Sequence, residues 1–215
     1  MRELLSFALV TFSAIFFVVD PLAVIPLFLS LTQGDPLEKK HATAAKAALV
    51  TTVTLLTFAA AGNFIFRLFG ITPGAFKIAG GILLFLMSLD MLRAQRSRVR
   101  TSPEEELEGV AKEEVAVIPL GIPMLAGPGS IATVTVTMSQ AWTSLPRMAI
   151  VIGSILLTGL LTFILLRGAL VLERTLKRTG LNILTRIMGL ILAAVAVQFV
   201  VSGIGDVFPH MTGQK

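Results

Sequence analysis

Asp20 is the residue with the most chemical potential in this chain. It stands 17 residues into an apolar run that begins at Leu4. A carboxylate at that depth is costly to hold in hydrocarbon, so it needs a partner or contact with water. It could pair with a substrate ammonium or carry a proton. It could also be structural, because Asp followed by Pro21 is a helix-start signal in which the carboxylate caps free N–H groups. The roles can coexist. The second group is Gly127-Pro128-Gly129-Ser130. Small residues there expose backbone N–H groups at the start of a half-helix, where the helix dipole favours an anion such as a carboxylate. The plainer alternative is that glycine and proline let a broken helix pack against its neighbour. Gln198, near the middle of the last apolar run, could line a cavity or hydrogen-bond across helices. Ser154, Thr158 and Thr162, spaced i, i+4, i+8, read as a close-packing face. Asn63, Lys77, Asp90 and Arg186 fall near the ends of apolar runs and read as interfacial anchors.

Other chemistries are excluded or weakened. Cysteine is absent, which removes disulfides, thiolate nucleophiles and cysteine metal sites. The two histidines, His41 and His210, are expected in loops or tails, and no metal-ligand spacing occurs. An intramembrane enzyme would need a nucleophile–base pair or metal ligands within the apolar runs, so no enzymatic activity is expected. The pI of about 10.1 invites a nucleic-acid reading. The basic residues sit beside the apolar runs instead, where membrane topology would place them.

The elements that must hold these groups are membrane spans. The 215 residues are 54% hydrophobic and only 14% charged, with a mean hydropathy of +0.85. Six spans are expected, at Leu4–Leu31, Ala47–Phe66, Gly74–Leu92, Val115–Met138, Met148–Leu166 and Ile187–Gly205. About 20 residues cross a bilayer. The first run, as one helix, would be about 42 Å long at 1.5 Å per residue, and it contains Pro21 and Pro26. A break at Val19–Asp20 is therefore expected. The fourth run holds Pro119, Pro123 and Pro128 with three glycines inside eleven residues, so it too is expected to be broken. Helix is expected to resume over Ile131–Met138. The N-terminal run continues past residue 20 without a small-residue cleavage site and reads as an uncleaved span.

Five of the 18 Lys and Arg residues (Arg2, Arg67, Lys77, Arg147 and Lys215) fall on one side of this arrangement, and thirteen on the other. The richer side is expected to be cytoplasmic, which puts both termini outside a cell inner membrane. The Arg93–Glu114 linker reads as a solvated, partly disordered cytoplasmic loop.

The linker divides one membrane domain into a first three-span repeat, 1–92, and a second, 115–215. Pro21-Leu-Ala-Val echoes Pro119-Leu-Gly-Ile, and Lys77-Ile-Ala-Gly80 echoes Arg186-Ile-Met-Gly189. Three spans per half would invert one half relative to the other. Inverted halves with broken helices at matching positions point to a secondary-transporter site.

Two segments carry a family resemblance. Asp20-Pro-Leu-Ala-Val-Ile-Pro-Leu-Phe-Leu-Ser-Leu-Thr32 resembles the first-span signature of the MarC family, and Pro119-Leu-Gly-Ile-Pro-Met-Leu-Ala-Gly-Pro-Gly-Ser-Ile131 is similar to its second. The six-span pattern extends the resemblance over nearly the whole chain. Ala23 departs from it, since glycine is common there, and should stiffen the backbone after the break. The resemblance implies a bacterial or archaeal inner-membrane protein and a transporter of small neutral amino acids such as glycine and alanine. It does not imply drug efflux. The expected architecture is an all-α membrane protein of two inverted three-helix repeats, broken in spans 1 and 4. The expected site groups Asp20, Pro21, Pro26, Pro119, Pro123, Gly127, Pro128, Gly129, Ser130 and Gln198. A zwitterion would present its amine to Asp20 and its carboxylate to the second break, with one half rocking against the other. The expected partners are that small molecule and the lipid bilayer, not nucleic acid. No cofactor is expected. Coupling to H+ or Na+ and homo-oligomerisation stay open, as do the alternatives of another small solute, a metal ion, or a non-transporting scaffold.

Overall fold

The structure, a computed structural model, describes residues 2–93 and 116–208. Nearly all of the Arg93–Glu114 linker, and His210, lie outside the described residues. Among the described residues every regular element is helical.

The first apolar run is broken where Asp-Pro predicts. Helix α1 spans Arg2–Val19 and α2 spans Pro21–Leu31. Asp20 adopts a left-handed conformation, φ 48°, ψ 64°, and is the single non-glycine residue with positive φ among those described. Its N–H donates to the Phe16 carbonyl at 2.9 Å, which closes α1. Its carboxylate accepts from the Ala23 N–H at 3.4 Å, which opens α2. A left-handed residue is a common helix stop, and Asp tolerates it better than most residues with a Cβ.

Helix α3 spans Leu37–Phe69 and ends on Gly70 at φ 65°. It begins ten residues before the expected start at Ala47, so His41 lies in a helix and not in a loop. The added segment is polar but rich in Ala, Lys and Glu, which are good helix formers. Helix α4 spans Pro73–Leu92, with the Thr72 hydroxyl accepting from the Ala75 N–H at 3.2 Å.

The fourth run is two pieces. Ala116–Leu125 forms a π-helix, π1, and Pro128–Ala141 forms α5. The Ala126 N–H reaches the Gly121 carbonyl at 3.0 Å, an i→i+5 bond. Pro119 and Pro123 lack the N–H groups an α-helix would use there. Helix α6 spans Leu145–Arg167. Helix α7 spans Ala169–Val207, so the expected sixth span is the latter part of a longer helix. Among the described residues, five stretches are long and apolar enough to cross a membrane: Arg2–Leu31, Leu37–Gly62, Pro73–Leu92, Leu145–Arg167 and Ile183–Val207. The broken π1–α5 segment is the sixth candidate.

Packing runs between the sequence halves. Helix α4 lies along α7, α3 packs on π1, α5 and α6, and α1 packs on α5 and α6. The pattern is nearly reciprocal. The second span meets the fourth as the fifth meets the first, and the third meets the fourth as the sixth meets the first. Among the described residues, two apolar clusters result. The larger draws on α1, α2, α3, π1, α5 and α6, with Ala169 at the start of α7. The smaller joins α4 to α7 through Leu84, Met87, Met91, Leu192 and Ala196, with Val18 of α1.

Glycines permit the α4–α7 approach. A Cβ on Gly203 would lie 2.7 Å from the Gly74 carbonyl oxygen, and one on Gly81 would lie 2.8 Å from the Ala196 carbonyl oxygen. Without a hydrophobic force between helices in lipid, such close backbone packing is what holds a pair together.

Candidate functional site

The two helix breaks meet. The Ser130 hydroxyl, in the first turn of α5, donates to the Leu125 carbonyl at 2.9 Å and lies 3.5 Å from the Val18 carbonyl, in the last turn of α1. Ser130 thus serves the end of π1 and touches the first break. Asp20, Pro21, Gly127, Gly129 and Ser130 are all buried. Asp20 is 2% exposed. Gly127 caps α5 without a side-chain hydrogen bond, and Pro128 has no N–H to satisfy. The first turn of α5 therefore lies against the end of α1, two residues before the buried Asp20.

The other expected site residues lie elsewhere. Pro26 is exposed on α2 and lines a separate cavity of about 350 Å³ with Ser30, Gln33 and Lys40. It sits more than a helical turn beyond Asp20, too far along α2 to share the break. Pro128 is exposed to an apolar crevice of about 440 Å³ lined by Phe58, Phe76 and Leu83. Pro119 and Pro123 fall in π1, and their side chains lie outside the described residues. Gly129 backs onto α4: a Cβ there would lie 2.6 Å from Leu84 Cδ2. Its small size is used for packing, whatever its N–H does. The Ser154, Thr158 and Thr162 stripe is buried, with the Thr162 hydroxyl donating to the Thr158 carbonyl at 2.8 Å.

Gln198 is exposed and lines a cavity of about 220 Å³ where α1, α4, α5 and α7 converge. The polar residues of that cavity are Thr11, Lys77, Thr137, Gln140, Gln198 and Ser202. Gln198 donates to the Ser202 hydroxyl at 3.2 Å.

Lys77 corrects its reading as an interfacial anchor. It is 6% exposed, and its ammonium is ion-paired with Asp206 near the end of α7. Close packing makes the pair reachable. Gly74 and Lys77 sit three apart on α4, and Gly203 and Asp206 three apart on α7, so the two glycines bring the backbones together beside the two charges. Arg186, which echoes Lys77 in the second half, is exposed.

Residues 5–208 match the family described as MarC family integral membrane protein. The chain belongs to the MarC family. It is similar to a UPF0056 membrane protein of Pyrococcus abyssi, 39% identical over 208 residues, covering 97% of this chain and 99% of that one. Bacillus subtilis YvbG, also a UPF0056 membrane protein, is 36% identical over 208 residues, covering 96% of this chain and 98% of its own. Escherichia coli YhcE is 34% identical over 200 residues, covering 93% of each. Their names give a membrane protein and no substrate. No solved structure matches.

Within this MarC family member, sequence reasoning located Asp20 and the 127–130 break but missed the Lys77–Asp206 pair. Its partners are 129 residues apart. The available signal was the matched spacing, Gly74-x-x-Lys77 and Gly203-x-x-Asp206, on two runs that must be antiparallel. Among the described residues, no group of three or more His, Cys, Asp or Glu is placed to hold a metal ion.

Proposed function

We propose that this MarC family protein is a secondary transporter of small neutral amino acids, of the glycine and alanine type. The observation that carries the reading is the contact between two buried helix breaks, one bearing Asp20 and the other opening α5. Opposed breaks of this kind place a carboxylate against a substrate ammonium and helix N–H groups against a substrate carboxylate. The reciprocal packing of the spans supports an inverted repeat. The Lys and Arg asymmetry supports an inner-membrane location with both termini outside. The chemistry at the breaks favours carriage over catalysis, since it offers recognition groups and no nucleophile–base pair.

The interlocked halves change the expected motion. A sequence half cannot rock as a unit when its packing lies in the other half. The α4–α7 pair, whose apolar cluster takes in Val18 of α1, is the better moving body, and the remaining helices are the frame. The test is flux of labelled glycine and alanine into proteoliposomes holding the purified full-length chain. Saturable uptake is expected for the native protein and should collapse in Asp20→Asn. Uptake no faster than in protein-free vesicles would sink the proposal.

A further inference from the structure

The breaks leave one charged group without a function. Lys77 is buried, lines the cavity of about 220 Å³ and belongs to neither break. An ammonium buried inside a bundle is costly without a partner, and where it persists it marks a partner or a ligand. Its partner Asp206 has a half-exposed side chain (46%), while that of Lys77 is 7% exposed. Among the described residues, Asp206 is absent from the cavity lining and Lys77 is the one formally charged residue in it. The ammonium has three N–H donors. One goes to Asp206, and no other protein partner is found among the described residues. The remaining polar lining is neutral hydroxyl and amide, able to donate or accept. A second cation stands close by, the Arg147 guanidinium 5.5 Å from the centroid of the Phe7 ring, which also lines the cavity.

We propose that this cavity binds the carboxylate of a small solute through Lys77, with Asp206 as the competing carboxylate built into the chain. At about 220 Å³ the cavity falls below the ~300–1,000 Å³ of pockets for drug-sized ligands, so it selects for small molecules. Its lining includes Phe7, Val10 and Thr11 from the first half of α1 and Phe199 and Ser202 from the later part of α7. That this is where an external amino acid first meets the protein rests on the transporter reading. The binding itself does not.

The experiment uses the full-length protein in detergent, with ligand-induced melting shifts and titration calorimetry. The probes are glycine, acetate and methylammonium. Glycine and acetate should raise the melting temperature, and methylammonium should not. Asp206→Asn removes the competitor, and since a half-exposed ion pair is worth up to about 1 kcal/mol, acetate should bind up to about fivefold tighter. Lys77→Met should abolish acetate binding. The double variant Lys77→Met/Asp206→Asn, which leaves neither charge unpaired, should fold and also fail to bind, while Lys77→Arg should restore binding. Retained acetate binding in the double variant, or no tightening in Asp206→Asn, overturns the inference. If the native protein carries glycine while acetate leaves the Asp206→Asn protein unmoved, the cavity inference falls and the transporter reading stands. If the predicted order of binding appears without flux, the transporter reading falls and the cavity site stands.

Discussion

Asp20 does two jobs that helix ends usually divide between two residues. Its left-handed backbone stops α1, a position where glycine is the common choice, and its carboxylate caps α2, where Ser, Thr, Asn and Asp are preferred. Aspartate and asparagine satisfy both demands at modest strain. This yields an ordered prediction for thermal stability in detergent. Asp20→Asn should be nearly as stable as the native protein. Asp20→Gly should lose a few tenths of a kcal/mol, because the turn is relieved while the cap is lost. Asp20→Ala should lose most, about 0.5–2 kcal/mol for the cap, plus the local hydrogen bonding by which Asp, unlike Ala, tolerates the left-handed backbone. An alanine variant as stable as the asparagine one would disprove the double role. Flux is read separately: if the charge meets an ammonium or a proton, the asparagine and glycine variants should both fold and both be inactive. This residue was legible in the sequence because Asp-Pro is a local signal. Lys77 was not, since burial of a lysine depends on which helix lies beside it and local sequence carries no record of that.

At the scale of elements, the helix breaks could be read because proline and glycine act on their own backbone. The π geometry of Ala116–Leu125 could not, because removing α-type bonds says where a helix fails and not what replaces it. The polar start of α3 was missed for another reason: hydropathy finds what crosses a bilayer, and this Ala- and Lys-rich extension is helical without being apolar. Helix pairing was the least legible level, since it is written in small residues whose meaning appears only when two faces meet. A matched pair of substitutions tests it. Gly203→Ala places a methyl 2.7 Å from the Gly74 carbonyl oxygen, whereas a Cβ at Gly153 on α6 meets nothing within 4 Å. Overpacking costs about 1–3 kcal/mol, while alanine in an open helical position is neutral or favourable by up to about 1 kcal/mol. Gly203→Ala should therefore melt earlier than the native protein and Gly153→Ala should not. Equal melting temperatures would mean that α4 and α7 are not held by their glycines.

The whole molecule is an interlocked bundle whose first three spans find their neighbours in the last three. Its orientation in the membrane is open to a direct check. A reporter fused after Arg100 should read as cytoplasmic and one fused after Lys215 as external; a cytoplasmic C-terminus would overturn the orientation if the Arg100 reporter read external, and the three spans after the linker if it read cytoplasmic. The interlocking also bears on how the chain is made. Synthesis delivers α4 long before α7, and the counter-charge of Lys77 is translated 129 residues after it. Until then the glycine face of α4 is open to lipid, and its ammonium must stay at the water boundary. Lys77 can settle into the bundle only when the last turn of α7 emerges. That turn is in effect the latch of the α4–α7 pair, and a chain cut short of Asp206 would keep a lysine that the bundle has no carboxylate to receive.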